Sequence, residues 1–237
     1  MEQRTTLISG ATKGIGRATA ERLNARGHTV IGISRSEPVD EFPGHFFQAD
    51  LSDRAARAAV LADITGRYQV DNLVNNVGVA NPQALEDVDA DTFARTIELN
   101  LGAAIDLTQA VLPNMRKRKR GRIVNISSRS ALGRELRTSY AAAKSGMIGM
   151  SRSWALELAG DGITVNVVSP GLTGTEMMRM NNPDIEQRAK AIPMGRLAEP
   201  HEIAAAIEFF LSDDASYITG QLLHACGGLS IGASSPL

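Results

Sequence analysis

The chain has 237 residues, 43% hydrophobic and 22% charged, with a formal net charge of −1, which predicts one globular domain without an overall basic field for nucleic acid or anionic lipid. Its single cysteine, Cys226, excludes an intrachain disulfide and a cysteine-based zinc site, as is typical of a protein in a reducing compartment. The N-terminus has no signal-peptide pattern and no apolar run approaches the roughly 20 residues that cross a bilayer, so we expect a cytoplasmic protein without a membrane partner.

Short β-rich segments alternate with longer amphipathic segments along the whole chain. Strands separated by helix-length connections require a parallel sheet covered on both faces, and right-handed crossovers favour the doubly wound topology. The predicted fold is therefore α/β: a single-domain, Rossmann-like doubly wound parallel sheet of about seven strands with helices on both faces. The predicted strands cover residues 5–9, 29–34, 45–49, 72–75, 122–127, 164–169 and 221–224, and the predicted helices cover residues 16–25, 54–68, 91–118, 139–159 and 200–211.

A glycine-rich turn, Ser9-Gly10-Ala11-Thr12-Lys13-Gly14-Ile15-Gly16, follows the first predicted strand and opens the first helix. Glycines allow a sharp turn and let a phosphate approach the backbone, while the helix N-terminus offers unpaired N–H groups to a pyrophosphate. A tight turn that needs glycine for packing alone is the alternative. The position between strand and helix favours a dinucleotide site.

The second predicted strand ends at Ser34 and Arg35, where an NAD-selective site usually places a carboxylate for the ribose 2′-hydroxyl. Ser34 cannot repel a 2′-phosphate, Arg35 can grip one in a bidentate contact, and Lys13 is placed to reach the same phosphate. This pattern favours NADP over NAD. The alternative is that both cations are simply exposed.

Asn100 interrupts a helical segment whose neighbours are apolar, and a buried amide needs partners. It either holds backbone groups in place or holds a water that carries protons. Further along, the segment of residues 122–128 is typical of a buried strand that ends in two hydroxyls, those of Ser127 and Ser128, at the strand end where doubly wound sheets bind ligands. Either hydroxyl could bind a carbonyl oxygen, and the chemistry of the two serines does not distinguish them.

Tyr140 and Lys144 are spaced by four residues, which places them on one face of a predicted helix. A nearby ammonium stabilises a phenolate and moves the tyrosine pKa from about 10 toward the working range of an acid–base group. The alternative is an interfacial tyrosine beside a surface lysine.

Residues 171–200 show no strand pattern and contain Met177, Met178, Met180 and Met194. Flexible, polarisable methionines suit a substrate lid that adapts to an apolar ligand. A surface helix pair that uses methionine to fill the core explains the pattern equally well.

Taken together, these motifs resemble those of the short-chain dehydrogenase/reductase family over essentially the whole chain. The glycine-rich turn resembles that family's T-G-x-x-x-G-x-G motif, with Ser9 in place of Thr. The segment Asn75-Asn76-Val77-Gly78 resembles its N-N-A-G motif, with Val for Ala, which supports the sheet below the cofactor. Asp50-Leu51 resembles the acidic pair that touches adenine, and Pro170–Thr175 resembles the segment that closes on the nicotinamide.

The resemblance implies hydride transfer between NADP(H) and a substrate carbonyl carbon, with Tyr140 handling the proton on oxygen and no metal required. It implies that Lys144 also binds the nicotinamide ribose, that Thr175 binds the carboxamide, and that Ser128 is the acting serine. The implied catalytic residues are Asn100, Ser128, Tyr140 and Lys144. The implied cofactor-binding residues are Gly10, Thr12, Lys13, Gly14, Ile15, Gly16, Ser34, Arg35, Asp50, Leu51, Asn76, Gly78, Tyr140, Lys144, Pro170, Gly171, Thr173 and Thr175.

Among subfamilies the chain is most similar to 3-oxoacyl-(acyl-carrier-protein) reductases, through residues 162–166 and the ending Gly227-Gly228-Leu229. The expected partner is a small-molecule carbonyl or alcohol substrate, with a thioester of acyl-carrier protein or CoA as the leading example. The basic run at residues 116–122 either docks an acidic carrier protein or forms a solvated helix C-terminus.

Two departures favour another polar or anionic substrate. Asp161 stands where those reductases often have a basic residue, and the loop at residues 129–137, next to the substrate in this family, carries Arg129, Arg134, Glu135 and Arg137. A non-catalytic NADP-binding sensor is a third hypothesis, although such proteins typically lose the Tyr or Lys. The resemblance also implies a homotetramer or homodimer formed through the helices at residues 91–118 and 139–159.

Overall fold

A computed structural model describes residues 3–175, 178–179 and 184–232. Within these residues a seven-stranded parallel sheet has the order β3-β2-β1-β4-β5-β6-β7, which confirms the predicted doubly wound α/β fold. The direction of winding reverses between β1 and β4, the switch point where such sheets bind ligands. The strands are β1 Thr5–Ser9, β2 Thr29–Ser34, β3 His45–Gln48, β4 Asn72–Asn75, β5 Gly121–Ile126, β6 Ile163–Pro170 and β7 Leu222–Ala225.

Helices cover both faces of the sheet. Leu7 and Ile8 are adjacent on β1 and point to opposite faces, and each belongs to a different apolar core. The helices are α1 Gly14–Ala25, α2 Arg54–Arg67, α3 Ala90–Ile97, α4 Ala103–Arg118, α5 Thr138–Leu158, α6 Ile185–Ala189 and α7 Pro200–Leu211. The Leu7 core includes side chains of α2, α4 and α5, and the Ile8 core includes side chains of α1 and α7.

The helix predicted over residues 91–118 is interrupted by a π-helical turn, Glu98–Gly102, between α3 and α4. The Ala103 N–H donates to the Glu98 carbonyl, five residues back, instead of the usual four. Asn100 lies in the middle of this turn. The helix expected over residues 91–118 therefore changes its hydrogen-bond pattern at the residue that the sequence marks as interrupting it.

The described part of residues 171–200 packs a small apolar cluster of its own. Ile185 and Ala189 of α6 are buried there with Ile192 and Leu197, and Met178 packs against them. Met194 is 63% exposed, whereas Met177 and Met180 lie outside the described residues. Met178 therefore packs in an apolar core, as expected if these residues form a surface helix pair. The alternative, a substrate lid over residues 171–200, stays a prediction.

None of the helices within the described ranges is long and apolar enough to cross a membrane.

Candidate active site

The carboxyl ends of the central strands meet at one edge of the sheet. β1 leads into the glycine-rich turn, β4 leads into Asn76 and Gly78, and β5 leads into Ser127 and Ser128. Because β1, β4 and β5 are neighbours, these segments lie side by side although they are far apart in sequence. The predicted catalytic and cofactor-binding residues are therefore gathered at the switch point of the sheet.

The glycine-rich turn is held against the loop that follows β4. Gly10 and Gly14 have positive φ values of 66° and 54°, which glycine adopts readily. A methyl group on Gly16 would overlap the Gly10 carbonyl oxygen, so the start of α1 packs directly on the end of β1. Among the described residues, no side chain caps the first N–H groups of α1. These groups therefore suit a pyrophosphate, as predicted.

Ser9 ties this turn to the neighbouring strand, which explains why serine can replace threonine there. Its hydroxyl accepts the backbone N–H groups of Asn76 and Val77, both at 3.0 Å. The Asn76 side-chain amide in turn donates to the carbonyls of Ser9 and Gly10, also at 3.0 Å. Asn76 thus fixes the start of the glycine-rich turn through two backbone carbonyls.

The residues predicted to select NADP lie together at the end of β2. The Thr12 N–H donates to the Ser34 hydroxyl at 3.3 Å, which ties β2 to the glycine-rich turn and to the exposed Lys13 within it. The Arg35 side chain is 79% exposed, and its guanidinium lies 4.0 Å from the Asp50 carboxylate. An exposed pair at this distance is weak, so the guanidinium is free to turn toward a ligand phosphate.

Asp50 and Leu51 follow β3 in a fixed loop. The Asp50 carboxylate accepts the N–H and the hydroxyl of Ser52 at 2.9 and 2.7 Å, and these bonds lower the pKa of Asp50 below its ordinary value. Leu51 is 3% exposed, and its carbonyl accepts a hydrogen bond from Arg57 at 2.6 Å. The loop predicted to contact adenine is therefore held in place by hydrogen bonds within the chain.

The two adjacent serines have different surroundings. Ser127 is 2% exposed, and its hydroxyl donates to the Lys144 carbonyl at 2.8 Å. Ser128 is half-buried, accepts the Ser130 N–H at 3.1 Å, and has its hydroxyl near the Tyr140 phenol, whose pKa it lowers. Of the two, only Ser128 presents its hydroxyl to the phenol, which agrees with the choice that the family resemblance implied.

Tyr140 lies in the first turn of α5 with its phenol largely withdrawn from water. Burial raises the pKa of Tyr140, while the hydrogen bond from Ser128 and the charges of Arg137 and Arg134 lower it by less. The expected lowering of the Tyr140 pKa by Lys144 is not seen, because the net shift is upward and Lys144 is not among the groups that oppose it. A phenol that keeps its proton at neutral pH is in the form that can donate one.

Lys144 is 2% exposed, one helical turn beyond Tyr140. Its ammonium donates to the Ile126 carbonyl at 2.8 Å and lies 5.6 Å from the centre of the Tyr140 ring. Burial lowers the pKa of Lys144 to about 8. The group is therefore charged at neutral pH and loses its charge near pH 8.

Asn100 holds backbone groups in place, as the first of its two alternatives expects, and the water of the second alternative stays a prediction. Its amide nitrogen donates to the carbonyls of Val79 and Thr96 at 3.0 and 2.8 Å, while its oxygen is buried and accepts no hydrogen bond from the described residues. A methyl group on Gly78 would lie 2.6 Å from that oxygen and 3.1 Å from the Lys144 nitrogen. Gly78 therefore packs closely against both polar atoms, and a side chain at this position would clash with Asn100.

The segment after β6 crosses the same edge. It runs from Pro170 through Gly171 to the buried Thr173 and then to Thr175. A methyl group on Gly14 would lie 2.9 Å from the Thr175 side chain, so this segment returns to the glycine-rich turn. The structure thereby brings all the predicted cofactor-binding segments together.

Sequence reasoning missed the main-chain acceptors and one buried cation. The carbonyls of Ile126 and Val79 fix Lys144 and Asn100, and a backbone carbonyl leaves no signal in a sequence. Arg57 was missed as well, although a charged residue among the alanines of α2 is a weak hint.

The basic run at residues 116–122 lies at the opposite edge of the sheet. The run ends at the start of β5, whereas Ser128 follows the end of that strand, and a strand of 6 residues is about 20 Å long. Its charges are largely paired within the chain, which favours a structural role over a docking site beside the cleft. The ion pairs join Arg116 and Lys119 to Asp161 at 3.0 and 2.7 Å, Arg118 to Asp71 at 3.2 Å, and Arg120 to Asp213 at 3.1 Å.

Known proteins match this chain along almost its whole length. A family model described as Enoyl-(Acyl carrier protein) reductase matches residues 10–230. The 3-oxoacyl-[acyl-carrier-protein] reductase FabG of Salmonella typhimurium is 42% identical over 240 residues, which cover 96% of this chain and 98% of that protein.

Two solved structures show how far the likeness extends to the fold. A Beutenbergia cavernae protein with bound NADP, described as an NAD(P)-dependent gluconate 5-dehydrogenase, is 33% identical with a TM-score of 0.89, covering 95% of this chain and 96% of its own. An aldohexose dehydrogenase of Thermoplasma acidophilum is 29% identical with a TM-score of 0.92, covering 99% of this chain and 96% of its own.

Proposed function

Because the chain belongs to the short-chain dehydrogenase/reductase family and is an oxidoreductase, we propose that it uses NADPH to reduce a substrate ketone to a secondary alcohol. The similarity to 3-oxoacyl-[acyl-carrier-protein] reductases makes a 3-oxoacyl thioester, carried by acyl-carrier protein or CoA, the first candidate substrate. One observation carries the proposal: the Tyr140 phenol meets Ser128 one helical turn from the buried Lys144 ammonium, at the edge that holds the glycine-rich turn.

NADP(H) fits the residues present and supplies the hydride when bound. The first N–H groups of α1 would hold its pyrophosphate, and Arg35 with Lys13 would hold the 2′-phosphate. Thr175 would bind the carboxamide. The NADP bound to the related Beutenbergia cavernae protein supports the same cofactor here.

Side chains of the protein bind the substrate oxygen and transfer the proton. Ser128 holds the substrate carbonyl oxygen beside Tyr140, whose phenol donates its proton to that oxygen as the alcohol forms. The Lys144 ammonium stabilises the resulting phenolate. A water between Lys144 and the free oxygen of Asn100 would return a proton to the site.

The direct test is NADPH oxidation with a panel of 3-oxoacyl thioesters, sugars, quinones and diketones. We expect turnover with NADPH and at least one 3-oxoacyl thioester. Arg35→Ala should raise KM for NADPH about tenfold and leave KM for NADH unchanged, because a charged hydrogen bond contributes roughly 1.5–3 kcal/mol and only NADPH has the 2′-phosphate.

Arg152→Ala, which changes an exposed arginine of α5, is the matched control and should leave both constants unchanged. Equal losses with NADPH and NADH in Arg35→Ala would contradict the assignment of the 2′-phosphate site. Absence of turnover with every substrate, together with retained NADPH binding, would favour the non-catalytic sensor.

A second candidate, a small ketone that carries a carboxylate, is favoured by the charged loop between Ser128 and Tyr140. The half-buried Arg134 forms no ion pair within the described ranges, and burial together with the charges of Arg137, Arg188 and Arg129 lowers its pKa. Like charges crowded beside a phenol favour an anionic ligand. The gluconate dehydrogenase activity ascribed to the Beutenbergia cavernae relative is consistent with this alternative.

The backbone fixes this loop rather than leaving it free. Leu136 has a φ of 59°, which is unusual for a residue with a side chain, and its carbonyl accepts the Gln83 N–H at 3.1 Å. The arginines on either side of Leu136 are therefore presented from a constrained segment.

For this candidate, Arg134→Ala with Arg137→Ala should lower kcat/KM about tenfold or more for ketones that carry a carboxylate, because the charge-assisted hydrogen bonds are lost. Neutral ketones of the same size should change by less than about twofold. Competition assays on the wild type and the double variant would measure the ratio of kcat/KM for a ketone with a carboxylate to kcat/KM for a neutral ketone of the same size. An unchanged ratio would leave the thioester as the only candidate.

The proposal extends to the assembly, a homodimer or homotetramer formed through α4 and α5. Ile105 is 36% exposed and Leu156 is 84% exposed on these helices, so each offers apolar surface that a second copy could cover.

A further inference from the structure

Arg57, on α2, joins three separate parts of the chain with one guanidinium. Its side chain is 1% exposed. One terminal nitrogen donates to the Leu51 carbonyl at 2.6 Å, the other to the Glu98 carboxylate at 2.7 Å, and Nε donates to the Asp106 carboxylate at 2.7 Å. Each nitrogen of the planar group therefore has a partner, and the geometry of a guanidinium fixes the three partners relative to one another.

Two of these partners flank the π turn that carries Asn100. Glu98 is its first residue and Asp106 lies in the first turn of α4, so Arg57 binds both ends of the irregular segment. Hydrogen bonds from Arg54 and Arg57 lower the pKa of Glu98 to about 2, which keeps the carboxylate charged. A π turn lacks the regular hydrogen-bond ladder of an α-helix, so it depends on outside contacts of this kind.

The third partner belongs to the loop where the adenine end of the cofactor is expected. Leu51 follows Asp50 directly, and both residues lie between β3 and α2. A movement of this loop on cofactor binding would displace the Arg57 guanidinium, and with it Glu98. Leu51 also lies in the apolar core against which Leu99 of the π turn packs, and the Arg57 guanidinium adds a polar link between the loop and the turn.

We propose that Arg57 is a positioning residue that couples the adenine loop to the π turn and thereby fixes Asn100 for proton return. The inference rests on the proposed function. Arg57 touches neither substrate nor cofactor, and it acts through Leu51 on one side and Glu98 on the other. Cofactor binding and the placement of Asn100 are then two ends of one coupling.

The test compares wild type with Arg57→Met and Arg57→Lys in the full-length protein. Arg57→Met should lower kcat about tenfold or more and raise KM for NADPH severalfold, with KM for the ketone unchanged, because small displacements of catalytic groups cost large factors in rate. Arg57→Lys keeps the positive charge but cannot donate to all three partners in the geometry of a guanidinium, so it should recover only part of the lost kcat. Arg67→Met is the matched control, since it removes an exposed, ion-paired arginine from the same helix.

A second readout does not depend on turnover. Hydrogen exchange of the peptide spanning residues 98–102, measured with and without NADPH, should slow on binding in wild type and in Arg67→Met but not in Arg57→Met. A folded Arg57→Met protein with wild-type kcat, KM for NADPH and NADPH-dependent protection would overturn the proposal, even with a lower Tm.

If Arg57→Met does not fold, Glu98→Gln replaces it. That variant should lose the NADPH-dependent protection and lower kcat without raising KM for NADPH, and wild-type behaviour would overturn the proposal. The absence of turnover in wild type would contradict the proposed function alone, because the exchange experiment still measures the coupling.

Discussion

Tyr140→Phe is expected to lower kcat by about 10²–10⁴-fold, because the ring remains in place while the proton on which the substrate oxygen depends is removed. NADPH affinity should stay within about twofold of wild type, since most of the proposed cofactor contacts lie elsewhere, in the glycine-rich turn, Arg35 and Lys144. Steady-state assays with the best substrate of the panel, and fluorescence titration with NADPH, measure the two quantities.

Tyr217→Phe serves as the control for Tyr140→Phe, since Tyr217 is fully exposed.

In wild type, kcat/KM for reduction should fall as the pH rises through about 8, because the pKa of the Lys144 ammonium is about 8 and the neutral amine cannot stabilise a phenolate. Turnover that survives in Tyr140→Phe with this pH dependence unchanged would show that another group donates the proton.

Gly16→Ala is expected to destabilise the protein by about 1–3 kcal/mol and to weaken NADPH binding about tenfold or more. The added methyl group would overlap the Gly10 carbonyl oxygen and lie 2.8 Å from the Asn76 amide nitrogen, so the start of α1 must move away from β1. The N–H groups expected to bind the pyrophosphate move with it. Urea denaturation and NADPH titration measure the two losses.

Gly66→Ala is the control for the same chemical change. Gly66 lies in the last turn of α2, and a methyl group there meets nothing within 4 Å. Replacing glycine by alanine in a helix should stabilise by roughly 0.5–1 kcal/mol. The two substitutions are therefore predicted to differ in sign, and equal effects would mean that the crowding at Gly16 relaxes easily.

The fold was predictable because its signals are local and repeated. Each of the seven strands was placed within one residue of its position in the structure, since apolar runs separated by helix-length segments leave few arrangements. The spacing of Tyr140 and Lys144 and the glycine-rich turn are local patterns too. Their meeting at one edge followed from the parallel sheet alone.

The π turn was not predictable from periodicity. One extra residue in a helical turn rotates the apolar pattern by about 100° without changing the composition, and α3 and α4 read as one helix in sequence. The two alternatives for Asn100 could not be separated for a related reason: they belong to different ends of one side chain.

The surroundings of charged groups were predicted least well. Burial, which raises the pKa of Tyr140 and lowers that of Lys144, depends on elements distant in sequence. The basic run likewise finds its partners at Asp71, Asp161 and Asp213, which only the folded chain brings near.

The π turn also fixes the orientation of the Asn100 side-chain amide, and with it the direction of the hydrogen bonds that reach this residue. With both amide hydrogens of Asn100 committed to the carbonyls of Val79 and Thr96, the side chain has only lone pairs left to offer. Exchanging its oxygen and nitrogen would set an oxygen against two carbonyl oxygens, so the orientation is fixed by electrostatic repulsion. A chain of hydroxyls and waters that ends at the Asn100 oxygen must donate its hydrogen bonds toward that oxygen, whichever substrate occupies the cleft.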